Sequence, residues 1–275
     1  MDSRSMQGFK ETSIVCAFYC VWMFQGCGSS DSTSDRVSET APHNQNEQTA
    51  VDLQETTKSS QGTAITSVEP VDPQMEVKAV FQKLVAIRNE PEPDEWLKAD
   101  KQLSAFGKTA VPTLIAELGN PELSARELAS MYLAGLGPEA KEAAPALEKA
   151  LKEDSPFIQV NAASTLTHFP EYQGKAVPVL ITLSKHEDPH TRLTSIYALG
   201  SLNPHSDDQL KAIKAALNDS DADVQLAAIK VLGQIGDPAK QTLKDLQTLI
   251  DDSNTNELLR EAALSSKSLI EKSKQ

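Results

Sequence analysis

Apolar residues recur along residues 176–202, AVPVLITLSKHEDPHTRLTSIYALGSL, in two runs separated by a polar break. In the first, Val177, Leu180, Ile181 and Leu183 return at steps that place side chains on one face of an α-helix. Glu187-Asp188-Pro189 interrupts, after which Leu193, Ile196, Leu199 and Leu202 return every three residues. The pattern predicts two short helices joined by a turn. Its layout repeats every 33 residues: Pro112, Pro145 and Pro178 share one register position, continued by Lys211 and Lys244. Leu114, Leu147, Leu180, Ile213 and Leu246 share a second, with Phe81 one unit earlier, and Leu133, Leu166, Leu199 and Leu232 share a third. Three columns at one spacing mark a repeat array, and a period of this size predicts a solenoid.

The register divides residues 75–272 into six helix–turn–helix units, 75–107, 108–137, 138–170, 171–203, 204–236 and 237–272. Pro112 and Pro178 are expected in the first turn of a leading helix, where proline's missing N–H has no partner to lose. For Pro145 the helix start stays open, because Pro138 can also begin that helix. Leu-Gly pairs at 136–137, 199–200 and 232–233 fall near the ends of second helices, where glycine accepts the left-handed backbone that stops a helix. Ala129, Ala162, Ser195, Ala228 and Ala263 supply a small-residue column for close helix approach. Lys267 replaces leucine in the last unit, which suits a solvent-facing end. A pair of short helices cannot bury its apolar face alone, so each unit must complete its neighbour's core.

AVPTLIAEL at 110–118, AVPVL at 176–180, DPHTR at 188–192, DADVQLAAIKVLGQIG at 221–236 and LREAAL at 259–264 resemble the HEAT-like repeat, in particular its phycobilisome lyase-type version. The resemblance covers roughly 75–272 and implies an all-α solenoid of about six helical pairs. On function the resemblance is nearly silent; the expectation is a non-catalytic scaffold or adaptor that binds protein partners. The alternative it leaves is a lyase-like or chaperone-like protein acting on a bound small molecule.

Arg126, Arg192 and Arg260, with Gln159 and Gln225 between them, share a position near the start of the second helix. Acids recur in the preceding turns at Asp154, Asp188, and Asp221 or Asp223. Arginine forks suit carboxylates or carbonyls, which predicts a ladder between neighbouring units; a ligand-binding basic stripe is the alternative.

The first 74 residues differ from the repeats. Residues 13–24, SIVCAFYCVWMF, are an apolar run too short to span a bilayer as a helix, but long enough for a signal-peptide core. Gly26-Cys27 and the polar stretch after it resemble a bacterial lipobox, although Phe24 and Gln25 depart from that pattern. The resemblance implies a signal peptide over 1–26, lipid on Cys27, and a place in the bacterial cell envelope; an ordinary secretory signal cut elsewhere, or an uncleaved anchor, is the alternative. Cys16 and Cys20 lie in the apolar run, so removing it leaves Cys27 without a disulfide partner. Residues 27–74 are acidic and rich in Ser, Thr and Gln, with too little apolar surface to offset the entropy of ordering, so they are expected to form a disordered tether. A coil of that length spans roughly 35–40 Å.

Charge narrows the partners. With 39 acids against 26 Lys and Arg, the net charge of −13 opposes binding to nucleic acid or to anionic lipid, leaving the anchor as the expected membrane contact. His186-Glu187-Asp188-Pro189-His190 matches the H-E-x-x-H spacing of zinc proteases. That chemistry needs both histidines on one continuous helix, and the register places 186–190 across a turn. The His-Glu pair also resembles those of deoxyhypusine hydroxylase, an iron-binding HEAT-repeat enzyme, but it has no second copy one repeat away. Neither catalytic nor metal-binding residues nor a cofactor are expected. What remains is a surface: projecting the second helices puts Leu128, Met131 and Gly135; Asn161, Ser164 and His168; Thr194, Tyr197 and Ser201; and Ala227, Lys230 and Gln234 opposite the core. Met131, Asn161, His168, Tyr197, Lys230 and Gln234 are the candidate residues of a concave binding face.

Overall fold

The structure, a computed structural model, describes residues 72–88 and 93–273. The signal-peptide, lipidation and most of the tether expectations lie outside these residues. Asp72 accepts a hydrogen bond from the Gln74 amide and starts the first helix. Six pairs follow: α1 (Pro73–Ile87) with α2 (Pro93–Ala105), α3 (Val111–Glu117) with α4 (Leu123–Leu136), and α5 (Ala144–Ala150) with α6 (Pro156–Leu166). The series continues with α7 (Pro170–Leu183) and α8 (Pro189–Gly200), α9 (Asp207–Ala215) and α10 (Ala222–Ile235), then α11 (Leu243–Asp251) and α12 (Glu257–Lys272). No strand occurs among the described residues. The fold is an all-α solenoid.

Each leading helix packs on its own second helix, and the second helices from α4 to α12 touch in succession. One apolar core runs from Val77 to Ile270. Its spine is the sequence columns: Phe81, Leu114, Leu147, Leu180, Ile213 and Leu246 are at most 1% exposed, and Leu133, Leu166, Leu199 and Leu232 are fully buried. Leu193, expected in the same apolar run as Leu199, is only half-buried. The turns are fixed by side-chain caps on consecutive second helices. Ser155, Asp188, Asp221 and Asn256 accept amide hydrogen bonds from the first turns of α6, α8, α10 and α12. Replacing such a cap by alanine typically costs about 1 kcal/mol. Asn256 follows Asp221 by 35 residues rather than 33, a shift that places Ala263 and Arg260 in their columns in the last unit. Lys267 is half-buried there and donates to Gln247.

Three local expectations change. Pro112 and Pro145 do sit in the first turn of α3 and α5, while Pro178 lies inside α7, which starts at Pro170. In units two, three and six the segment ahead of the leading α-helix is a 3₁₀ stretch, at Gly107–Ala110, Gly137–Ala143 and Asp237–Thr242. In unit four that segment has joined the α-helix, so the aligned proline becomes internal. Gly137 has the positive φ expected of a helix stop, but Gly200 and Gly233 remain helical; among the described residues the other positive-φ glycines are Gly107 and Gly236. The reason for Gly200 and Gly233 is contact between units. A Cβ on Gly200 would collide with Val231 of α10, and one on Gly233 would lie 2.9 Å from the Ser266 Cα of α12. These glycines let adjacent second helices approach closely.

Candidate functional site

The arginine column closes turns. Arg192 Nη1 donates to the carbonyls of His186 and Glu187 in its own turn, both at 2.9 Å. Its Nε and Nη2 donate to the two carboxylate oxygens of Asp219, in the next turn, at 2.8 and 2.7 Å. Arg126 does the same more loosely, donating to the carbonyls of Asn120 and Pro121, with Nε 3.4 Å from Glu153. Arg260 in the last described unit turns back to the carbonyls of Ile250, Asp252 and Thr255. Gln159 donates to the Glu153 carbonyl at 2.7 Å. The ladder is therefore structural. Its acids are Glu153 and Asp219, however, whereas the expected Asp188 and Asp221 serve as helix caps. A hollow of about 210 Å³ at the seam of units four and five is lined by Ser184, Lys185, Arg192, Asn218 and Asp219, of which Arg192 and Asp219 already bind each other.

The H-E-x-x-H segment spans a cap. His186 lies in the turn, its Nδ1 accepting from the Asp188 amide, and Asp188 caps α8, which begins at Pro189. The two histidines are thus on different elements. His190 stacks on Phe157 of α6, ring centroids 6.3 Å apart and planes at 26°. Burial pushes the His190 imidazole below its ordinary value against the opposing pull of Asp188, so the ring is neutral at neutral pH.

The projected face is partly open. Its first row was expected to be free, but Leu128, Asn161 and Ala227 are 4%, 8% and 0% exposed, and Thr194 is half-buried. Asn161 donates to Ser130 of α4 at 3.2 Å, so it seals the seam between units and is not part of an open face. The reason is geometric. An inner helix of a stack has a neighbour on each side and its leading helix beneath, so more than half of its circumference is covered; seven of the eleven α6 residues are buried. The next row holds Met131, Ser164 and Tyr197, half-buried, and exposed Lys230. The third holds half-buried Gly135 and exposed His168, Ser201 and Gln234. Of the six candidate residues, Met131, His168, Tyr197, Lys230 and Gln234 are accessible.

The structure adds residues that the projection left out. Phe157 and His190 lie two helical turns before Ser164 and Tyr197, hence on nearly the same face, and both are half-buried. Leu193 and Leu226, one turn before Tyr197 and Lys230, are half-buried too. Extending the projection toward the helix N-termini at the same period finds all four. Together they make the centre of this face aromatic and aliphatic.

A family model of HEAT repeats matches residues 144–212 and 210–271. No curated protein matches the chain. Among solved structures, a designed armadillo repeat protein in complex with the peptide (KR)4 is 17% identical, with 71% of this chain and 99% of that one covered and a TM-score of 0.49. The complex of CpcE and CpcF of phycocyanin lyase from Nostoc sp. PCC7120 is 23% identical over 58% of this chain and 98% of that one, with a TM-score of 0.40. An archaeal HEAT-like repeats protein from Thermococcus onnurineus NA1 is 16% identical over 74% and 81%, with a TM-score of 0.43. The chain thus resembles HEAT repeats over residues 144–271, and the helix pairs from Pro73 onward have the same helix–turn–helix layout.

Proposed function

We propose that the chain is a non-catalytic scaffold or adaptor that binds a protein partner on the open face of its second helices. It is held at a bacterial cell envelope by lipid on Cys27. The observation that carries the reading is the apolar centre of that face: Phe157, Leu193, Tyr197 and Leu226, half-buried on three successive second helices. Scattered surface apolar residues need no explanation, whereas a run across neighbouring helices suits a polypeptide surface. A small-molecule lyase would call for an enclosing pocket of about 300–1,000 Å³ with convergent polar groups. The hollow beside Arg192 is smaller, and its Arg192 and Asp219 side chains are joined to each other. The anchor rests on the sequence alone, and through the tether it would let the array stand off the bilayer.

Two experiments test the reading. Wild-type protein immobilised on beads should capture a protein from its own envelope fraction, and the Tyr197→Ala, Leu226→Ala double variant should lose that protein while keeping the helical content of the wild type by circular dichroism. Capture unaffected by the double variant would refute the face. Separately, Cys27→Ala should abolish fatty-acid labelling and shift the chain from the membrane pellet to the soluble fraction. An unchanged pellet with an unlabelled Cys27 would sink the anchor.

A further inference from the structure

We propose that the partner segment is a basic polypeptide with aromatic or aliphatic side chains, lying across the second helices of units three to five. This rests on the binding-face reading above and names the chemistry of its occupant. The apolar requirement comes from Phe157 on α6, Leu193 and Tyr197 on α8, and Leu226 on α10, all incompletely covered by the fold.

The charge requirement comes from the N-terminal ends of the same helices. Asp154 immediately precedes the α6 cap, Glu187 immediately precedes the α8 cap, and Asp223 is the second residue of α10. All three are exposed. Helix capping does not account for them, because Ser155, Asp188 and Asp221 already cap these helices. The arginine ladder does not account for them either, since it takes Glu153 and Asp219. Around the three turns, Glu153, Asp154, Glu187, Asp188, Asp219, Asp221 and Asp223 outnumber the turn cations Lys152 and Lys185 and the helix arginines Arg126 and Arg192 that reach into them by three.

Asp154, Glu187 and Asp223 stand three residues before Phe157, His190 and Leu226 in the chain, at the N-terminal ends of the helices that carry the apolar face. A segment whose apolar side chains lie on the face therefore has carboxylates within reach of any cation it carries. Aromatic rings such as Phe157 and Tyr197 also attract cations. The net charge of −13 steers a basic partner toward the molecule and repels an acidic one. Lys230, exposed on the face, is the feature that would instead favour an acidic segment.

The test uses the full chain and two synthetic peptides of about twelve residues, one repeating Lys-Phe-Lys-Leu and the other with Glu in place of Lys, compared by fluorescence anisotropy at low salt, where charge contrast is least screened. The basic peptide is expected to bind on the order of tenfold tighter than the acidic one. Combining Asp154→Asn, Glu187→Gln and Asp223→Asn should remove most of that difference. A control triple, Glu142→Gln, Glu171→Gln and Asp207→Asn, removes the same charge from exposed acids outside these turns and should change affinity less than about twofold. Equal weakening by both triples would reduce the effect to bulk charge and overturn the proposal, as would equal affinity for the two peptides. If neither peptide binds while the envelope partner is still captured through Tyr197 and Leu226, the basic assignment is wrong and the face survives. Failure of that capture as well removes the face itself.

Discussion

Leu199→Ala is expected to destabilise the whole array by about 2–5 kcal/mol, the usual cost of truncating a buried leucine. Leu199 is fully buried in α8, which packs against α7 beneath it and against α6 and α10 on its flanks. A cavity there removes contacts from three units at once. In a stack, the stability of each unit includes its interfaces with both neighbours, so damage is not confined to the unit that carries it. An ordinary domain has only about 5–15 kcal/mol in total, so the loss is a large fraction. Hydrogen exchange should therefore quicken in units three and five as well as four. Ser201, two residues on, is exposed and donates only to the Ala198 carbonyl of its own helix. Ser201→Ala should stay within about 0.5 kcal/mol. Thermal melts and exchange mass spectrometry on both variants decide the matter. Equal costs would mean that the helical register, and the open face derived from it, is wrong.

Arg192→Ala is expected to cost about 3–5 kcal/mol at neutral pH, as for other buried pairs broken from one side. Arg192 and Asp219 side chains are 11% and 10% exposed. The substitution leaves a shielded carboxylate and the His186 and Glu187 carbonyls without their donor. Arg192→Lys should recover little, because a single ammonium cannot fork across two carboxylate oxygens and also reach two carbonyls. The effect has a pH signature. Partial burial pushes the Asp219 carboxyl up, but the Arg192 hydrogen bonds and the Asp221 and Ser220 amides outweigh it and hold its pKa below the ordinary 3.8. A carboxyl lowered in the folded state contributes stability that is complete above its unfolded pKa and is lost as pH falls through the folded one. The difference between wild type and Arg192→Ala should accordingly narrow in urea melts taken from about pH 7 down to about pH 3. A gap that is small at neutral pH, or unchanged by acid, would show that the bracket does not hold the seam.

Much of this molecule is legible without coordinates. The columns of Leu114, Leu147, Leu180, Ile213 and Leu246, and of Leu133, Leu166, Leu199 and Leu232, identify the core because only residues facing their own helix partner must be apolar in every unit. The turn arginines are legible as a ladder for a similar reason: a guanidinium recurring beside turn acids has carbonyls and carboxylates within reach. Met131, His168, Tyr197, Lys230 and Gln234 were placed on the accessible side by helical angle alone.

Other features depended on how closely and at what rotation neighbouring units pack, and one repeat's periodicity does not carry that information. Asn161 has the right angle to be open, yet it is covered because α4 approaches near enough for its amide to reach Ser130. Gly200 and Gly233 look like helix stops, but the approach of α10 and α12 is what leaves no room for a Cβ. Pro178 occupies the register of a helix start, and the extension of α7 back to Pro170 makes it internal. The acids of the ladder are Glu153 and Asp219 because the caps claim Asp188 and Asp221 first. Phe157, His190, Leu193 and Leu226 join the accessible face because the stack leaves the N-terminal half of that face incompletely covered. The sequence by itself determined the repeat, the core and the direction of each helix face, since those follow from a period. The tertiary structure decided which flanks are sealed and which remain for a partner, since those follow from distances between helices that the period does not set.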